Sequence, residues 1–365
     1  MALKEILESK KENLNKLKSS LERENLTSYI FSYEANYASR PIFTNKPDPL
    51  AIPYMWKYST TKKLLKEVAE TLTVEESERR NATLVNPGLK DFVSLATTPT
   101  IYSSIQVLQP GDVAKSHHHT VDAFRFVIEA PHEKAYSVVN GAKLPMRGGD
   151  LILTPNWAWH DHANEGDDDV IFVTGQNAVL VYWIGASFYE KLHDFNGEDR
   201  QSIITTDEEI VSTFGEGIRP SYRKPGIYNP LVYYPFNRVE KTLTMLAEKE
   251  KGSPCDGIIV DYVNPLDGGP AMPGMRISMR LIKPKTELDP VRKTENMIIV
   301  SFEGSLKIEL IEEGKTFEMQ PFNAAVIPSW TKYRIVNEEN ERALAFSYSD
   351  SPVFKSLSQY RESSQ

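Results

Sequence analysis

The chain has 365 residues, of which 40% are hydrophobic and 25% are charged, and its formal net charge is −8. This length favours two domains over one, and the acidic balance argues against a nucleic-acid partner, since phosphate binding needs a basic face. No apolar run approaches the roughly 20 residues that cross a bilayer, and the charged N-terminus lacks the apolar core of a signal peptide. A single cysteine, Cys255, excludes an intrachain disulfide, so we expect a cytoplasmic protein with no membrane partner.

The N-terminal part of the chain is predicted to combine helices with an extended segment. Leucines and isoleucines at helical spacing among lysines and glutamates predict an amphipathic helix over residues 1–24. Residues 31–53 alternate prolines and aromatics without periodicity and favour an extended segment, and a second helix is predicted over residues 60–72. The pattern Thr73-x-x-Glu76 is typical of a capping box and predicts the start of a third helix.

After residue 86 the sequence changes to short β-type runs separated by turn residues such as Asn140-Gly141. Many short strands at regular spacing predict an antiparallel sandwich or barrel. The predicted strands cover residues 100–108, 124–128, 135–139, 150–153, 170–174 and 179–184. Residues 194–223 are polar, and we expect an irregular linker there.

The second half of the chain repeats the pattern of the first. Leu84-Val85-Asn86-Pro87 is echoed by Tyr262-Val263-Asn264-Pro265, and Thr154-Pro155-Asn156-Trp157 is echoed by Ile327-Pro328-Ser329-Trp330. An internal duplication is the simplest account, and it predicts two domains of the same fold. The expected order is an N-terminal helical and extended segment, a first barrel that carries the site, a linker with a helix, and a second barrel with the C-terminal tail, at residues 1–95, 96–190, 191–255 and 256–365.

Five of the seven histidines lie in two short runs, His117-His118-His119 and His160-Asp161-His162. On a strand the outer two residues of each run share a face and the central residue points away. Two such strands bring three or four imidazoles to one interior point and predict a metal site. A one-residue slip in register would instead turn His118 inward. Imidazole suits iron, zinc, copper and nickel, so the spacing leaves the metal open.

The spacing around these runs resembles the paired motif of the cupins, small double-sheet jelly-roll proteins that hold a metal inside the barrel. Five residues separate Gly111 from the first run, and five separate Gly149 from Pro155, which is followed by His160 and Asn164. The alternative is that the histidines have no metal-binding role. They would then form a chance run on a solvated loop, or their ring nitrogens would hydrogen-bond to backbone groups.

The usual first cupin motif also carries a glutamate three or four residues after its second histidine. This chain has Ala123 and Phe124 at those positions. The resemblance therefore implies a site of three histidines, His117, His119 and His160, with open positions for substrate and dioxygen.

Longer motifs resemble those of the gentisate 1,2-dioxygenase family, bicupin ring-cleaving enzymes that include salicylate and 1-hydroxy-2-naphthoate dioxygenases. The resemblance covers about residues 50–362. Its carriers are Pro53-Tyr54-Met55-Trp56, Glu78-Arg79-Arg80, Leu84-Val85-Asn86-Pro87-Gly88-Leu89, Ser116-His117-His118-His119-Thr120, Phe124-Arg125-Phe126-Val127, Gly149-Asp150, Thr154 through His162, and Phe346-Ser347-Tyr348-Ser349-Asp350-Ser351-Pro352. It implies a mainly β bicupin fold, two antiparallel jelly-roll barrels with N-terminal and linker helices, assembled as a homotetramer.

The resemblance also implies one Fe(II) per chain, in the first barrel, with a small aromatic acid and O2 as substrates. The first candidate acid is gentisate, cleaved between its carboxyl-bearing and hydroxyl-bearing carbons to give maleylpyruvate. Salicylate, a substituted salicylate and 1-hydroxy-2-naphthoate are alternatives within the same chemistry. A non-catalytic cupin that binds an aromatic acid and a cupin isomerase are alternatives of other classes.

Strand alternation and side-chain chemistry then assign helper residues. Arg125 lies six residues past His119, an even step that gives it the same interior face on a continuous strand, and its guanidinium suits a carboxylate. His162 shares the face of His160 and is predicted to take or hold a phenolic proton, while Gln106 is predicted to hydrogen-bond substrate or oxygen. Ordinary surface or ion-pair roles are the alternative for the arginines. Further predicted substrate contacts are Arg79, Arg80, Tyr102, Trp159 and Thr174.

The chain departs from the family pattern after its second metal motif, and its second repeat differs from its first. The family commonly reads Asp-Gly-x-Asp after the second metal motif, where this chain has Thr174-Gly175-Gln176-Asn177, and the loss of two carboxylates leaves the choice of acid open. In the second repeat, the positions of the histidine ligands hold Val291, Lys293 and Tyr333, and no histidine follows His193. We therefore predict a second barrel without metal, which packs on the first and builds an oligomer interface.

Overall fold

The computed structural model describes residues 11–28, 31, 44–77, 80–222 and 228–364. Within these ranges no helix is both long enough and apolar enough to cross a bilayer. The chain divides into two compact units, residues 1–48 and 49–365. The first unit contains helix α1 (Lys11–Arg23), which confirms the second half of the predicted N-terminal helix. Residues 1–10 and most of the predicted extended segment lie outside the described residues.

The second unit holds the remaining elements, which fall into two halves. The helices of the first half are α2 (Tyr58–Thr71), α3 (Val74–Ser77), α4 (Ala178–Trp183), α5 (Leu192–Asn196) and α6 (Asp207–Phe214). Its strands are β1 (Tyr54–Trp56), β2 (Asn81–Thr83), β3 (Tyr102–Leu108), β4 (Val113–His119), β5 (Ala123–Glu129), β6 (Ala135–Val139), β7 (Ala142–Pro145), β8 (Leu151–Thr154), β9 (His160–Asn164), β10 (Val170–Gln176), β11 (Tyr189–Lys191) and β12 (Thr205–Thr206).

The second half contains fewer helices and a similar number of strands. Its helices are α7 (Phe236–Lys249) and α8 (Ser351–Ser356). Its strands are β13 (Tyr233–Tyr234), β14 (Ile258–Asp261), β15 (Arg276–Ile282), β16 (Thr286–Glu287), β17 (Arg292–Lys293), β18 (Met297–Glu303), β19 (Leu306–Leu310), β20 (Lys315–Met319), β21 (Ala324–Ile327), β22 (Tyr333–Asn337), β23 (Ala343–Ser349) and β24 (Glu362–Ser363).

These strands form two jelly-roll barrels, as the sequence predicts. The sheets of the first barrel have the strand orders β13-β8-β5-β10-β3-β2 and β11-β4-β9-β6-β7-β12. Those of the second barrel have the orders β1-β21-β18-β23-β15-β14 and β16-β22-β19-β20. Because successive side chains of a strand point to opposite faces, each sheet offers one face to its barrel interior and the other to its surroundings.

The sheet of the first barrel that contains β5 and β10 packs against the sheet of the second barrel that contains β23. The rings of Phe126 and Phe346 stack with centroids 3.9 Å apart, and Phe124 meets Tyr348 edge to face at 4.8 Å. A Cβ atom at Gly175 would lie 2.4 Å from the Phe124 ring, so the absence of a side chain there permits the close approach. The second barrel thus buries the outer apolar face of the first, which agrees with its predicted packing role.

Each barrel borrows a strand from the segment that precedes the other barrel. Strand β1 pairs with β21 of the second barrel, with Tyr54 opposite Val326, and β13 pairs with β8 of the first barrel, with Tyr233 opposite Ile152. The two borrowed strands occupy matching positions of the repeat. The barrels therefore take strands from outside the residue limits predicted for them, a long-range pairing that local sequence patterns do not carry.

Two local predictions were wrong. Residues 179–184 were expected to form a strand, and the chain instead forms helix α4, with Val179 and Val181 buried. A short, fully apolar run has no periodicity that separates a strand from a buried helix turn. The linker, predicted to be irregular, contains helix α6, which begins at a complete capping box between Thr206 and Glu209.

The predicted turn and capping signals elsewhere are confirmed. Asn140 and Gly141 have φ values of 46° and 80°, as a two-residue hairpin turn requires. Thr73 and Glu76 exchange hydrogen bonds at the start of α3. Trp157 and Trp330, which match in the repeat, have φ values of 62° and 66°. The duplication therefore extends to an unusual backbone conformation at equivalent positions.

Candidate metal centre and active site

Three of the five clustered histidines converge inside the first barrel. Strands β4 and β9 are antiparallel neighbours with His117 opposite His160. The ligand nitrogens of His117, His119 and His160 all lie within 4.8 Å of one another. His160 is fully buried and His117 is 9% exposed. Strand alternation thus brings together the three residues that the sequence predicted.

The backbone orients all three rings in the same way. The Nδ1 atom of His117 lies 2.9 Å from the Lys115 carbonyl oxygen, that of His119 lies 2.7 Å from the Val121 oxygen, and that of His160 lies 2.9 Å from the Ala158 oxygen. A carbonyl oxygen only accepts hydrogen bonds, so each Nδ1 carries the proton and each Nε2 presents a lone pair. Neutral imidazoles held in this way fit a transition-metal ion such as iron or zinc.

His118 faces the outside of the barrel. Its ring is stacked between those of Trp157 and Trp159, with centroids 3.8 Å and 3.6 Å away, and its Nε2 lies 2.9 Å from Glu190 Oε2. These contacts settle the register question in favour of the outer two residues of the run. They also place Trp159 against His118, on the side away from the histidine cluster, which does not favour its predicted contact with substrate.

His162 continues the interior face of strand β9. It is 1% exposed, its ring centroid lies 5.9 Å from that of His160, and its Nδ1 lies 2.8 Å from Ser137 Oγ. Ser137, which sequence reasoning missed, is the cross-strand neighbour of His162 on β6. The pair adds a buried, orientated imidazole beside the three-histidine cluster.

Arg125 lies on the opposite sheet of the first barrel. Its neighbours Phe124 and Phe126 point toward the second barrel, so Arg125 points to the interior. It is fully buried, and its Nη1 donates to Thr154 Oγ1 at 2.6 Å. The predicted continuous strand from His119 to Arg125 is wrong, because the two residues lie on β4 and β5 of different sheets. Both side chains nevertheless face the same interior.

Gln106 and Tyr102 lie on strand β3 of the same sheet, which β10 separates from β5. Gln106 is buried, and its Nε2 donates to Ser104 Oγ at 3.1 Å. It stands opposite Phe172 of β10, on the same interior face as Arg125. Tyr102 lies at the end of the strand, where it packs against the apolar cluster around Leu89. Gln106 and Tyr102 thus lie two residues to either side of Ser104, and Gln106 is the more deeply buried of the two.

Two N-terminal arginines were predicted to contact substrate, and the structure describes one of them, Arg80. Arg80 holds Asp112 through its Nη1, at 2.8 and 2.6 Å from the two carboxylate oxygens, and its Nε donates to the Leu72 carbonyl. This paired ion bridge favours the structural alternative for Arg80 over a substrate contact. Arg79 lies outside the described residues.

A cavity of 220 Å³ reaches the histidine cluster at the sheet edge, with His117 in its wall. Strand β11 supplies two of the other wall residues, Tyr189 and Lys191. Tyr189 stands opposite His119 in the register, and its ring centroid lies 5.3 Å from that of His117. Sequence reasoning missed these residues, because a three-residue strand after a helix leaves no measurable alternation.

The replacement of the second family carboxylate by Asn177 has a structural explanation. The Asn177 amide accepts from the Asp122 backbone N–H and donates to the Asp122 carboxylate, at 2.9 and 3.0 Å. The equivalent pair in the second barrel is Asn296 with Asp350, in which amide and carboxylate have changed places. Burial raises the pKa of Asp122. Asn177 thus ties strand ends together, whereas Thr174 points into the barrel.

The second barrel carries ionic side chains where the first carries histidines. Val291 pairs with Tyr333 as His117 pairs with His160, which agrees with the predicted alignment of the repeats. Lys293 Nζ lies 3.0 Å from both oxygens of Asp256, and Arg280 Nη1 lies 3.4 Å from one of them.

Attraction between opposite charges stabilises this ionic cluster in the barrel interior. Burial acts to raise the pKa of Asp256, but the two cations outweigh it and leave that pKa lowered. Burial is the main cause that raises the pKa of the neighbouring Tyr333 to about 12, since the cations around it lower this pKa and the carboxylates raise it. Paired opposite charges thus occupy the interior that corresponds to the histidine site.

Comparison with known proteins agrees with this geometry. The cupin domain family matches residues 104–175. The chain is 32% identical to a gentisate 1,2-dioxygenase from Aquipseudomonas alcaligenes over 323 residues, covering 88% of this chain and 90% of that protein. It is 34% identical to a 1-hydroxy-2-naphthoate 1,2-dioxygenase from Nocardioides sp. (strain KP7) over 312 residues, covering 85% of this chain and 78% of that protein.

A solved structure is similar over almost the whole chain. The salicylate 1,2-dioxygenase from Pseudaminobacter salicylatoxidans matches with a TM-score of 0.84 at 28% sequence identity, covering 96% of this chain and 97% of that one. Structures of that enzyme include adducts with gentisate.

Proposed function

The chain belongs to the family of ring-cleaving 1,2-dioxygenases that includes the gentisate and 1-hydroxy-2-naphthoate enzymes, and we propose that it opens the ring of a 2-hydroxybenzoate-type acid in its first barrel. The observation that carries this proposal is the polar interior between two sheets, with three convergent imidazoles on one and Arg125 on the other. Gentisate is the first candidate acid, cleaved between its carboxyl-bearing and hydroxyl-bearing carbons to maleylpyruvate with both oxygen atoms incorporated.

The proposed metal ligands are His117, His119 and His160, which hold one Fe(II) per chain. Their uniform orientation through Nδ1 supports this assignment, and three protein ligands leave open positions for small molecules. Ferrous iron, when bound, supplies the positions at which the aromatic acid and O2 meet and the electrons that activate oxygen. The remaining roles belong to side chains of this chain.

Arg125 is proposed to bind the carboxylate of the acid. A guanidinium forms paired, charge-assisted hydrogen bonds with a carboxylate, and the bond from Arg125 to Thr154 fixes its direction. His162 is proposed to take or hold the phenolic proton at Nε2, since Ser137 orients the ring through Nδ1. Gln106 is proposed to hydrogen-bond the acid or oxygen from the same face as Arg125.

A second candidate is a salicylate-type or naphthoate-type acid. Thr174 is neutral and lies on the interior face, at a position where the family commonly has an aspartate. This difference supports a salicylate-type or naphthoate-type substrate. The similarity to a 1-hydroxy-2-naphthoate dioxygenase supports it as well. A substrate without a second ring hydroxyl would not need an acidic partner there.

An oxygen-electrode experiment tests the proposed function. The protein is reconstituted with Fe(II) under nitrogen and then supplied with gentisate, salicylate or 1-hydroxy-2-naphthoate in aerated buffer. We expect oxygen uptake that depends on one of these acids, with a ring-opened product seen by its absorbance. Tight binding of an acid without oxygen uptake would instead identify a non-catalytic cupin.

We also propose a homotetrameric, cytoplasmic enzyme. The family resemblance supports the assembly, and large apolar side chains exposed between residues 182 and 195, such as Trp183, Phe188 and Phe195, suit a subunit interface. These exposed side chains lie beside the first barrel, whereas the sequence predicted an oligomer interface on the second barrel. The single Cys255 supports a reducing location. Analytical ultracentrifugation of the purified chain measures the assembly.

A further inference from the structure

We propose that the hydroxyl group of Thr174 is a second hydrogen-bond donor for the substrate carboxylate, acting beside Arg125. This inference rests on the proposed function and deepens it, because it assigns the recognition of the acid group to two side chains on neighbouring strands. It concerns binding and orientation of the acid, and it gives Thr174 no part in proton transfer.

The first observation is an unsatisfied buried hydroxyl. Thr174 is fully buried near the end of β10, and its Oγ1 has no hydrogen-bond partner among the described residues. Buried polar atoms nearly always find a partner, because burying one without compensation destabilises the folded state. The hydroxyl is therefore placed where a bound molecule can form the hydrogen bond that the protein does not supply.

The second observation is the register of the sheet. Thr174 stands between Ser104 on β3 and Arg125 on β5, and residues directly opposite on neighbouring strands share a face with Cβ atoms about 5 Å apart. Ser104 already accepts from Gln106 Nε2 at 3.1 Å. Arg125 is turned toward Thr154 by its bond at 2.6 Å. A carboxylate held by Arg125 would thus have the Thr174 hydroxyl within reach.

The second barrel provides an internal comparison. Asn177 matches Asp350 in the repeat, so Thr174, three residues earlier, matches Ser347. The Ser347 hydroxyl lies 3.0 Å from Arg280 Nη2 and 2.9 Å from Ser278 Oγ. In the barrel whose interior is closed by ion pairs, the hydroxyl at this position is satisfied within the protein. In the barrel with the histidine cluster it is left for a ligand.

A hydroxyl donor suits a carboxylate acceptor. An O–H···O⁻ hydrogen bond is short and roughly twice as strong as one between neutral groups. Arg125 would neutralise the charge of the carboxylate, and Arg125 and Thr174 together would fix its orientation. The aromatic ring would then lie between the two sheets. A phenol without the carboxyl group would lose both contacts.

The test compares three variants with the wild-type protein. Thr174→Val removes the hydroxyl and keeps the shape, Thr174→Ser keeps the hydroxyl, and Ser347→Ala removes the equivalent hydroxyl of the second barrel as a matched control. Dissociation constants for gentisate and salicylate are measured under nitrogen with iron-loaded protein, by quenching of tryptophan fluorescence. Iron content and the unfolding temperature of the metal-free protein are measured on the same samples.

We expect Thr174→Val to bind both acids roughly tenfold to a hundredfold more weakly, the effect of losing a hydrogen bond to a charged group. Its iron content should equal that of wild type. Its metal-free form should unfold at the same or a higher temperature, since an uncompensated polar atom has been removed. Thr174→Ser should recover most of the affinity, and Ser347→Ala should bind both acids like wild type.

Three results would overturn the inference. Wild-type affinity in Thr174→Val would show that the hydroxyl does not contact the acid. A lower unfolding temperature in that variant would show a structural hydroxyl. Weaker binding of gentisate alone would assign the hydroxyl to the additional ring hydroxyl of that acid. If wild type binds neither acid, the proposed function itself fails, an outcome separate from these three.

Discussion

At the scale of single residues, the histidine runs divide into distinct roles. Alternation along β4 and β9 was sufficient to predict which imidazoles converge, because strand geometry fixes side-chain direction. The roles of Arg80 and Trp159 were not predictable, since they depend on partners distant in sequence, Asp112 and His118. Thr174 was identified only as a departure from a family pattern. Its unsatisfied hydroxyl is visible only when the neighbouring strands are in place.

Metal content distinguishes neighbouring histidines. His117→Ala removes one of three proposed ligands and should leave well under one iron per chain after reconstitution and desalting. His118→Ala removes a ring that stacks outside the barrel and should retain about one iron per chain. The reverse pattern, with iron lost from His118→Ala and kept by His117→Ala, would show that the strand register is shifted.

The Arg125 guanidinium should determine affinity for the acid. Arg125→Gln removes the buried cation and should lower kcat/KM by roughly a hundredfold, mainly through KM, as loss of a charge-assisted pair predicts. Arg238→Gln is the control, because Arg238 is half exposed and pairs with Glu216 at the surface. Equal losses in the two variants would contradict a specific role for Arg125.

At the scale of elements, the second barrel keeps the fold and replaces the site by fixed charges. The repeated motifs made the duplication predictable, and the missing histidines predict that the second barrel binds no iron. The ionic cluster at the positions of the missing histidines was not predictable, because Asp256 contacts Lys293 from a loop before β14. Helix α4 was misread for a related reason, since an apolar run carries no sign of which neighbour it will pack against.

The Lys293 ammonium should stabilise the second barrel through Asp256. Lys293→Met leaves a buried carboxylate with one weaker partner, Arg280 at 3.4 Å, and should lower the free energy of unfolding by about 3 kcal/mol. The triple variant Lys293→Met/Arg280→Met/Asp256→Asn should recover much of the loss, because no charged member of this buried cluster remains. Urea denaturation of both proteins measures this, and equal losses in the two would argue against the ion pair as the cause.

At the scale of the whole molecule, the two barrels are joined by exchanged strands, by stacked aromatic faces and by one buried carboxylate. Asp350 accepts hydrogen bonds from Thr100, next to the first barrel, and from Asn296 of the second. Burial raises the pKa of Asp350 to about 6 and outweighs these hydrogen bonds, which lower it. We therefore expect the joint between the barrels to be sensitive to pH.

Stability should respond to this carboxyl with a defined sign. A raised pKa means that the folded state binds the proton more tightly, so the contribution is fully present below about pH 4 and is lost as the pH rises through 6. The free energy of unfolding of wild type, relative to Asp350→Asn, should fall by up to about 3 kcal/mol between pH 4 and pH 7. A difference that is constant with pH would contradict the raised pKa.

The most direct measurement of the central claim is the stoichiometry of oxygen and acid consumption by protein reconstituted with Fe(II). The account predicts one O2 consumed per molecule of gentisate, or of a related 2-hydroxy acid, with about one iron per chain. His160→Ala should have no such activity, since it lacks one of the three convergent imidazoles. Full activity in His160→Ala, or no oxygen uptake by wild type with any of these acids, would contradict the account.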